Sequence, residues 1–467
     1  MSIVDSNKPK KAPLSRLTKL AFGIGDLGPA IVASINGFFL NAFLLEVAGV
    51  TPENAAAIFL IVKIWDAIND PLIGTLTDRT NTRWGRRRPW LLFGALPFAL
   101  AYFLQWLVPD VGQAGKFWYY LLVAFLLDTG FTAVNVPYTA MTPELSDDYD
   151  ERTSLNAYRF SFSILGGTLA AFIHTVIIGS FTGEAVVQGF AISAGIWAVL
   201  IVISNVITFA FTRESHFQGQ QPEGPGFFAG LKLAFQNRAF IFVTIIYLLS
   251  WLAIQFVQNN LFLYVKYWLK AEDQFQWLLL LLQFGSFIFV LMWARLSQRL
   301  GKQRVYYLGT AFWIVAGVLL FFVPAGETRW LYFIAPLASI GVSVCYLIPW
   351  SMLPDVVDLD ELETGQRREG IFYGFFVFLQ KLGISAGIAI SNLILASTGY
   401  IKPEYAGAPI APVQPEAVLT ALRVFVSLAP GVILLLSYVA VRLYPITRAK
   451  HADIQARLAR GRAQSQL

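Results

Sequence analysis

Charged residues are scarce in this chain: Asp, Glu, Lys and Arg make up 14% of its 467 residues, where a typical soluble domain carries about 25%. That deficit excludes an ordinary soluble enzyme. The one cysteine, Cys345, sits in an apolar run, so neither a disulfide framework nor a thiolate metal site can be built. The three histidines, His174, His216 and His451, lie far apart and form no metal-ligand cluster in the sequence. The net charge of +6 is not a nucleic-acid signature, because the excess sits in short loops and at the two ends. No cleavable signal peptide is expected: residues 1–17 are polar and basic, with Lys8, Lys10, Lys11 and Arg16, and no small-residue cleavage site follows. What is abundant is apolar. Hydrophobic residues make up 56% of the chain, mean hydropathy is +0.58, and runs of the ~20 residues needed to cross a bilayer recur along nearly its whole length.

Hydropathy predicts an all-α membrane protein of twelve transmembrane helices, near residues 18–46, 54–78, 89–109, 115–141, 155–181, 187–212, 238–264, 272–297, 303–323, 329–352, 370–398 and 417–444. Lys and Arg collect on one side: the N-terminus, the 79–88 loop, Arg152, the linker, Arg295 to Arg304, Arg367, Arg368 and the C-terminal tail. The other side holds only Lys116, Lys266, Lys270, Arg329 and Lys402. By the positive-inside rule both termini are cytoplasmic, in a multi-pass protein of the cell (plasma or inner) membrane. Residues 213–237, rich in Gly, Pro and Gln, read as a flexible cytoplasmic connector between a six-helix bundle over 1–212 and another over 238–446, followed by a basic tail over 447–467. The halves repeat. Span 4 ends Pro137-Tyr138-Thr139-Ala140-Met141-Thr142-Pro143-Glu144, and span 10 ends Pro349-Trp350-Ser351-Met352-Leu353-Pro354-Asp355. These matches join spans six apart, which predicts two parallel repeats about an axis along the membrane normal. Such pseudosymmetry suits alternating access about a site near mid-bilayer.

Against this background the stretch from Lys63 to Trp90 stands out. Asp66 and Asp70 lie four residues apart on one face of an apolar helix, with Lys63 three residues before Asp66. A carboxylate at bilayer depth costs at least ~2.5 kcal/mol on insertion scales, so two held there point to a function. Counted at ~1.5 Å per residue from the cytoplasmic end, Asp66 and Asp70 of span 2, Asp128, Thr132 and Asn135 of span 4, Lys381 of span 11 and Asp26 of span 1 share one depth band. Convergence lets these charges compensate one another. Carboxylates with a hydroxyl and an amide are hard oxygen ligands, suited to a monovalent cation such as sodium and poorly suited to zinc or copper. A carboxylate pair also serves a proton. The expected coupling ion is therefore Na+ or H+, at Asp66, Asp70, Thr132, Asn135 and Asp128, with no other metal and no cofactor.

Two further groups are singled out. Asp78, Arg79, Arg86, Arg87, Arg88, Arg152, Asp355, Asp358 and Arg367 lie at the cytoplasmic surface and are expected to form a charge lock between the halves that acts as the inward gate; topogenic charge alone is the bland alternative. In span 7, Trp251, Gln255, Gln258 and Asn259 make a stripe at spacings of three and four. It suits a polar solute stacked on an indole, or a plain helix–helix hydrogen-bond seam.

At Trp65 to Pro71, Arg83 to Trp90 and Met352 to Asp358 the chain resembles the glycoside–pentoside–hexuronide:cation symporters, the melibiose-carrier-like branch of the major facilitator superfamily. The resemblance covers essentially the whole chain. It implies the major facilitator fold, a cation site at Asp66 and Asp70 assisted by Thr132, coupling of cation and sugar through Lys381, and sugar contact at Asp26; Arg159 resembles a substrate-side arginine of span 5. Two positions depart from the melibiose carriers, which have aspartate at Asn135 and tryptophan at Thr139, so a galactoside is not implied. The same motifs also resemble the sodium-dependent lysophosphatidylcholine transporters. Cation:solute symport of a sugar or glycoside is thus the expected activity, with a lysolipid as the alternative solute. A more distant reading, a membrane prenyltransferase with aspartate-rich helices, lacks a matching acidic cluster in the second half. The expected partners are a small-molecule solute, a monovalent cation and the lipid bilayer, with no nucleic acid, for a monomer that is not an enzyme.

Overall fold

In lipid every backbone polar group must be satisfied within its own segment, and the apolar runs accordingly become helices. The computed structural model describes residues 14–146, 149–214, 227–366, 368–404 and 412–464, and a helix lies over each of the twelve segments expected to cross a bilayer. Span 1 is Arg16–Leu40. Span 2 is Pro52–Arg79, span 3 Arg88–Gln105, span 4 Gln113–Ala140, span 5 Tyr149–Gly179 and span 6 Val186–Phe211. Span 7 is Arg238–Tyr264, span 8 Phe275–Leu300, span 9 Lys302–Phe321, span 10 Leu331–Thr364 and span 11 Glu369–Ser397. Span 12 is a pair, Glu416–Val426 and Leu428–Leu443, bent by 42°. Among the described residues nine helices are long and apolar enough to cross a membrane, ten with the bent pair. Spans 2 and 3 are the two outside that set, and span 2 carries Lys63, Asp66, Asp70, Asp78 and Arg79 along its length.

The ends of the helices follow local chemistry. Thr51 caps span 2, its hydroxyl accepting from the Asn54 amide ahead of Pro52 at the first helical position. Asn237 caps span 7 in the same way. Span 10 differs from expectation: instead of ending near residue 352 it runs to Thr364 and stops at Gly365, whose φ of 69° closes the helix. Pro349 and Pro354 lie inside it, because a proline removes one hydrogen bond without ending a packed helix, whereas a left-handed glycine does end one. Span 1 breaks at Gly25 and Asp26, where a Cβ on Gly25 would meet the Tyr138 ring at 2.5 Å. The connector is also more ordered than expected, since Phe227–Gln236 forms a helix; residues 215–226 lie outside the described set. The basic tail likewise carries a helix, Arg448–Gln464, with Ile454 buried.

Glycines let the helices approach closely. Gly130 of span 4 meets the Phe98 Cα of span 3, where a Cβ would sit 2.8 Å away, and Gly341 of span 10 meets the Gly309 carbonyl of span 9. Packing is densest within each half. Between the halves, the described hydrogen bonds, ion pairs and ring contacts lie at mid-depth or at the end opposite the arginine loop.

Candidate cation and solute site

Span 2 presents Asp66 and Asp70 on one face, and Lys381 of span 11 reaches across from the other half to both. Its Nζ lies 2.8 Å from Asp66 Oδ1 and 2.5 Å from Asp70 Oδ2. Lys63 Nζ holds the second oxygen of Asp66 at 3.0 Å. The Thr132 hydroxyl donates to Asp70 Oδ1 at 3.0 Å. Asp66 is buried, Asp70 partly open. Two carboxylates thus converge on a single ammonium, with a hydroxyl beside them. A monovalent cation uses the same oxygens, so cation and ammonium compete for one place.

Asp128 is one turn from Thr132 but does not bond the same ammonium. It accepts from Asn69 Nδ2 at 3.3 Å, and Asn69 lies between the two aspartates on span 2. Trp65 Nε1 donates to Thr129 Oγ1 at 2.9 Å, which locks span 2 to span 4 beside the site. Asn135 makes no hydrogen bond to the carboxylates among the described residues, so it stands apart from this group.

Asp26 sits at the break in span 1, buried, with Arg159 Nε of span 5 at 3.3 Å from Oδ1. The Arg159 guanidinium lies 5.6 Å from the centre of the Tyr138 ring, and Tyr138 itself donates to the Phe22 carbonyl at 2.6 Å. Span 7 divides between the two readings of its stripe. Asn259 donates to Ser391 of span 11 at 2.7 Å, a helix–helix seam. Gln255 Oε1 and Trp251 Nε1 are buried without a hydrogen-bond partner, and the Trp251 ring stands edge-on to Tyr346 at 5.4 Å.

Among the described contacts, the charges expected to form the inward gate meet partners within their own half. Arg87 donates to Asp78 at 2.6 Å, to Thr77 at 2.7 Å and to Glu144 at 3.2 Å, and Arg86 also pairs with Glu144. The backbone amides of Arg86, Arg87 and Arg88 all donate to Glu214, and the Arg88 side chain holds the Phe209 carbonyl. Asp355 pairs with Lys302 at 2.7 Å, Asp358 accepts from Gln455, and Asp360 pairs with Arg368. Arg152 donates to the Ser146 carbonyl. Each of these ties elements of one half. The physical reason is proximity: Asp78 is nine residues from Arg87 around a tight loop, and span 10 runs on far enough for Asp355 and Asp358 to meet the tail helix. Arg79 is exposed and without an ion pair among the described residues, and Arg367 lies outside them.

Besides Lys381 with Asp66 and Asp70, a second described ion pair joins the halves, at the end opposite the arginine loop. Glu46, at the end of span 1 and 4% exposed, pairs with Lys266 Nζ at 2.7 Å, accepts from Tyr267 at 2.8 Å, and also accepts from Tyr400. Asn392 donates to Asn41 at 2.7 Å beside it. Sequence reasoning passed over Glu46 and counted Lys266 among scattered charges. Opposite charges at the same ends of spans 1 and 7, which are equivalent in the repeat, were the available signal.

Solved structures of the same fold include the nucleoside transporter NupG, with a TM-score of 0.64 at 13% identity over 92% of this chain and 99% of that one. A D-xylose–proton symporter scores 0.62 at 14% identity over 92% and 96%. The helices of this chain thus take the fold of these transporters. The chain belongs to the MFS/sugar transport protein family, whose model matches residues 21–448. Among its relatives is an uncharacterised symporter of Synechocystis, 39% identical over 94% of this chain and 96% of that one. The sodium-dependent lysophosphatidylcholine symporter 1-A of Danio rerio is 31% identical over 94% and 87%. These relatives are membrane transporters, not enzymes, and the chain is a multi-pass membrane transporter of this family.

Proposed function

We propose that the protein is a sodium-coupled symporter in which Asp66, Asp70 and Thr132 bind the cation and Lys381 couples it to the solute. The observation that carries this reading is the Lys381 ammonium held between both carboxylates. With no cation bound, the ammonium compensates the buried charge. Arrival of the cation releases it, and the released lysine changes what the solute meets on span 11. Sodium is chosen over the proton because relatives at 31% identity are sodium-dependent and because the donor set is hard oxygen. With the arginine loop on the cytoplasmic side, as the charge bias argues, contacts that seal the opposite end describe an inward-open state.

The solute reading taken from the sequence is a sugar or glycoside, bound between Asp26 and Arg159 on one side and Trp251 and Gln255 on the other. An acid, a guanidinium and an unpartnered amide supply hydrogen bonds to hydroxyls, and an indole supplies an apolar face. A second reading, a lysophospholipid, is favoured by the lysophosphatidylcholine relatives and by the Asp26–Arg159 pair, which offers one locus to each charge of a zwitterionic headgroup.

Uptake into proteoliposomes tests both. Sodium-gradient-driven accumulation of one member of a glycoside and lysophospholipid panel is expected in the native protein. Asp66→Asn and Asp70→Asn should each reduce accumulation to background while the protein remains monodisperse, because charge is lost and volume is not. Sodium-stimulated uptake surviving in both variants refutes the cation site.

A further inference from the structure

The lipid-facing wall of the first half carries a groove separate from the cation and solute site described above. It encloses about 620 Å³ between spans 3 and 4 and begins beside Thr80 and Thr82 at the arginine loop. From Trp90 it follows span 3 to Leu104, fourteen residues or about 21 Å of helix. The hydrocarbon core is ~30 Å thick, so each leaflet supplies about 15 Å of acyl chain, and the groove takes one such chain in full. Its walls face the lipid: Phe93 is 63% exposed and Leu100 54%. Three threonine hydroxyls lie in the lining, and all are already satisfied. Thr80 donates to the Leu76 carbonyl and accepts from Trp90, Thr82 donates to the Gly85 carbonyl, and Thr129 donates to the Phe125 carbonyl and accepts from Trp65. A sugar would find nothing to bond here. An alkyl chain would.

Two arginines flank the mouth. Arg79 precedes Thr80 and Arg83 follows Thr82; both are exposed, and among the described residues neither is paired with a carboxylate. The Arg83 guanidinium lies over the Trp84 ring at 4.7 Å. Asp78, the acid nearest in sequence, is engaged by Arg87, and Glu214 is held by three backbone amides. Guanidinium groups without a carboxylate partner among the described residues, beside a groove lined by lipid-facing side chains, are electrically complementary to an anionic phosphate.

We infer that this groove is a binding site for an anionic diacyl phospholipid, one acyl chain along span 3 and the headgroup at Arg79 and Arg83. The site backs onto the cation cluster. Thr129, in the groove floor, adjoins Asp128 and bonds Trp65, which adjoins Asp66. A chain in the groove therefore presses on the face of span 4 behind Asp128 and Thr132, and occupancy should favour the geometry of that cluster.

Photo-crosslinking of the purified full chain in detergent tests the site. Phosphatidylglycerol with a diazirine on one acyl chain is the probe. Labelling is expected on peptides from spans 3 and 4, displaced by tenfold unlabelled phosphatidylglycerol and not by phosphatidylcholine. Arg79→Gln with Arg83→Gln, both at exposed positions, should abolish that preference. Leu100→Trp, which fills an exposed wall, should cut labelling of spans 3 and 4 at least fivefold while leaving other spans as before. Displacement by both lipids alike, or labelling of spans 6 and 8 as strong as that of spans 3 and 4, overturns the inference.

Discussion

A lysine with two aspartates in one hydrogen-bonding shell is the residue on which the proposed coupling turns. Lys381 brings its charge from the second half to a carboxylate pair in the first, so whatever displaces it also changes the contact between halves. Linkage makes the effect reciprocal: if the cation improves solute binding, the solute improves cation binding by the same factor, typically ~1–3 kcal/mol. Lys381→Ala removes the competitor. The cation should then bind at least as tightly as before, and its affinity should no longer respond to saturating solute. Lys381→Arg retains the charge in another shape and should restore the response only in part. Cation affinity by isothermal titration, with and without solute, reads this directly. An undiminished mutual effect in Lys381→Ala would make the lysine a structural partner only.

At the level of the helix, close approach rather than apolarity decides what fits. Gly317 of span 9 lies under the bend of span 12, where a Cβ would come within 2.3 Å of the Ser427 carbonyl. A backbone oxygen at that distance cannot yield as a side chain can. Gly317→Ala should therefore lower the melting temperature in detergent by several degrees, in line with the ~1–3 kcal/mol cost of overpacking. Gly374 of span 11 is the control, since its Cβ would meet nothing within 4 Å, and alanine there should hold or slightly raise the melting temperature. Equal behaviour of the two variants would show that the span 9–12 crossing is not tightly packed. The same scale accounts for span 10, whose internal prolines mimic a terminus in sequence although the terminating signal is Gly365.

For the whole molecule, the balance between the two ends of the bundle sets which side the site faces. Glu46 gathers Lys266, Tyr267 and Tyr400 from the other half. Hydrogen bonds to a charged group contribute about 1.5–3 kcal/mol, so Glu46→Gln should shift the population away from the sealed state by roughly tenfold or more. A cysteine at the buried Ala42 of span 1 reports this, because the native Cys345 is fully buried and gives little background. Labelling of Ala42→Cys by an impermeant maleimide from the side opposite the arginine loop should rise about tenfold when Glu46→Gln is added. Unchanged labelling would mean that the aromatic contacts of Phe39 with Phe262 and Phe275 carry the seal alone.

Much of this protein is legible in its sequence. Hydropathy marked segments that each carry a helix among the described residues, because a bilayer leaves a backbone no other way to satisfy its polar groups. The cost of intramembrane charge singled out Asp66, Asp70, Asp26 and Lys381, and helix rise placed them at one depth, because both quantities depend only on local composition and a fixed geometry. Which charge meets which was not local. The ammonium of Lys381 reaches aspartates more than 300 residues away, Asp128 takes an amide rather than a cation, and Asn135 stays outside. The arginines of the loop close on their own half, while the halves are tied by Glu46, a residue that looks ordinary in sequence. Residues 83–90 specify a basic turn; where the two bundles meet is decided by the packing of Glu46 and Lys381 with their partners in the opposite half, since that depends on side chains that come into range once the helices are assembled.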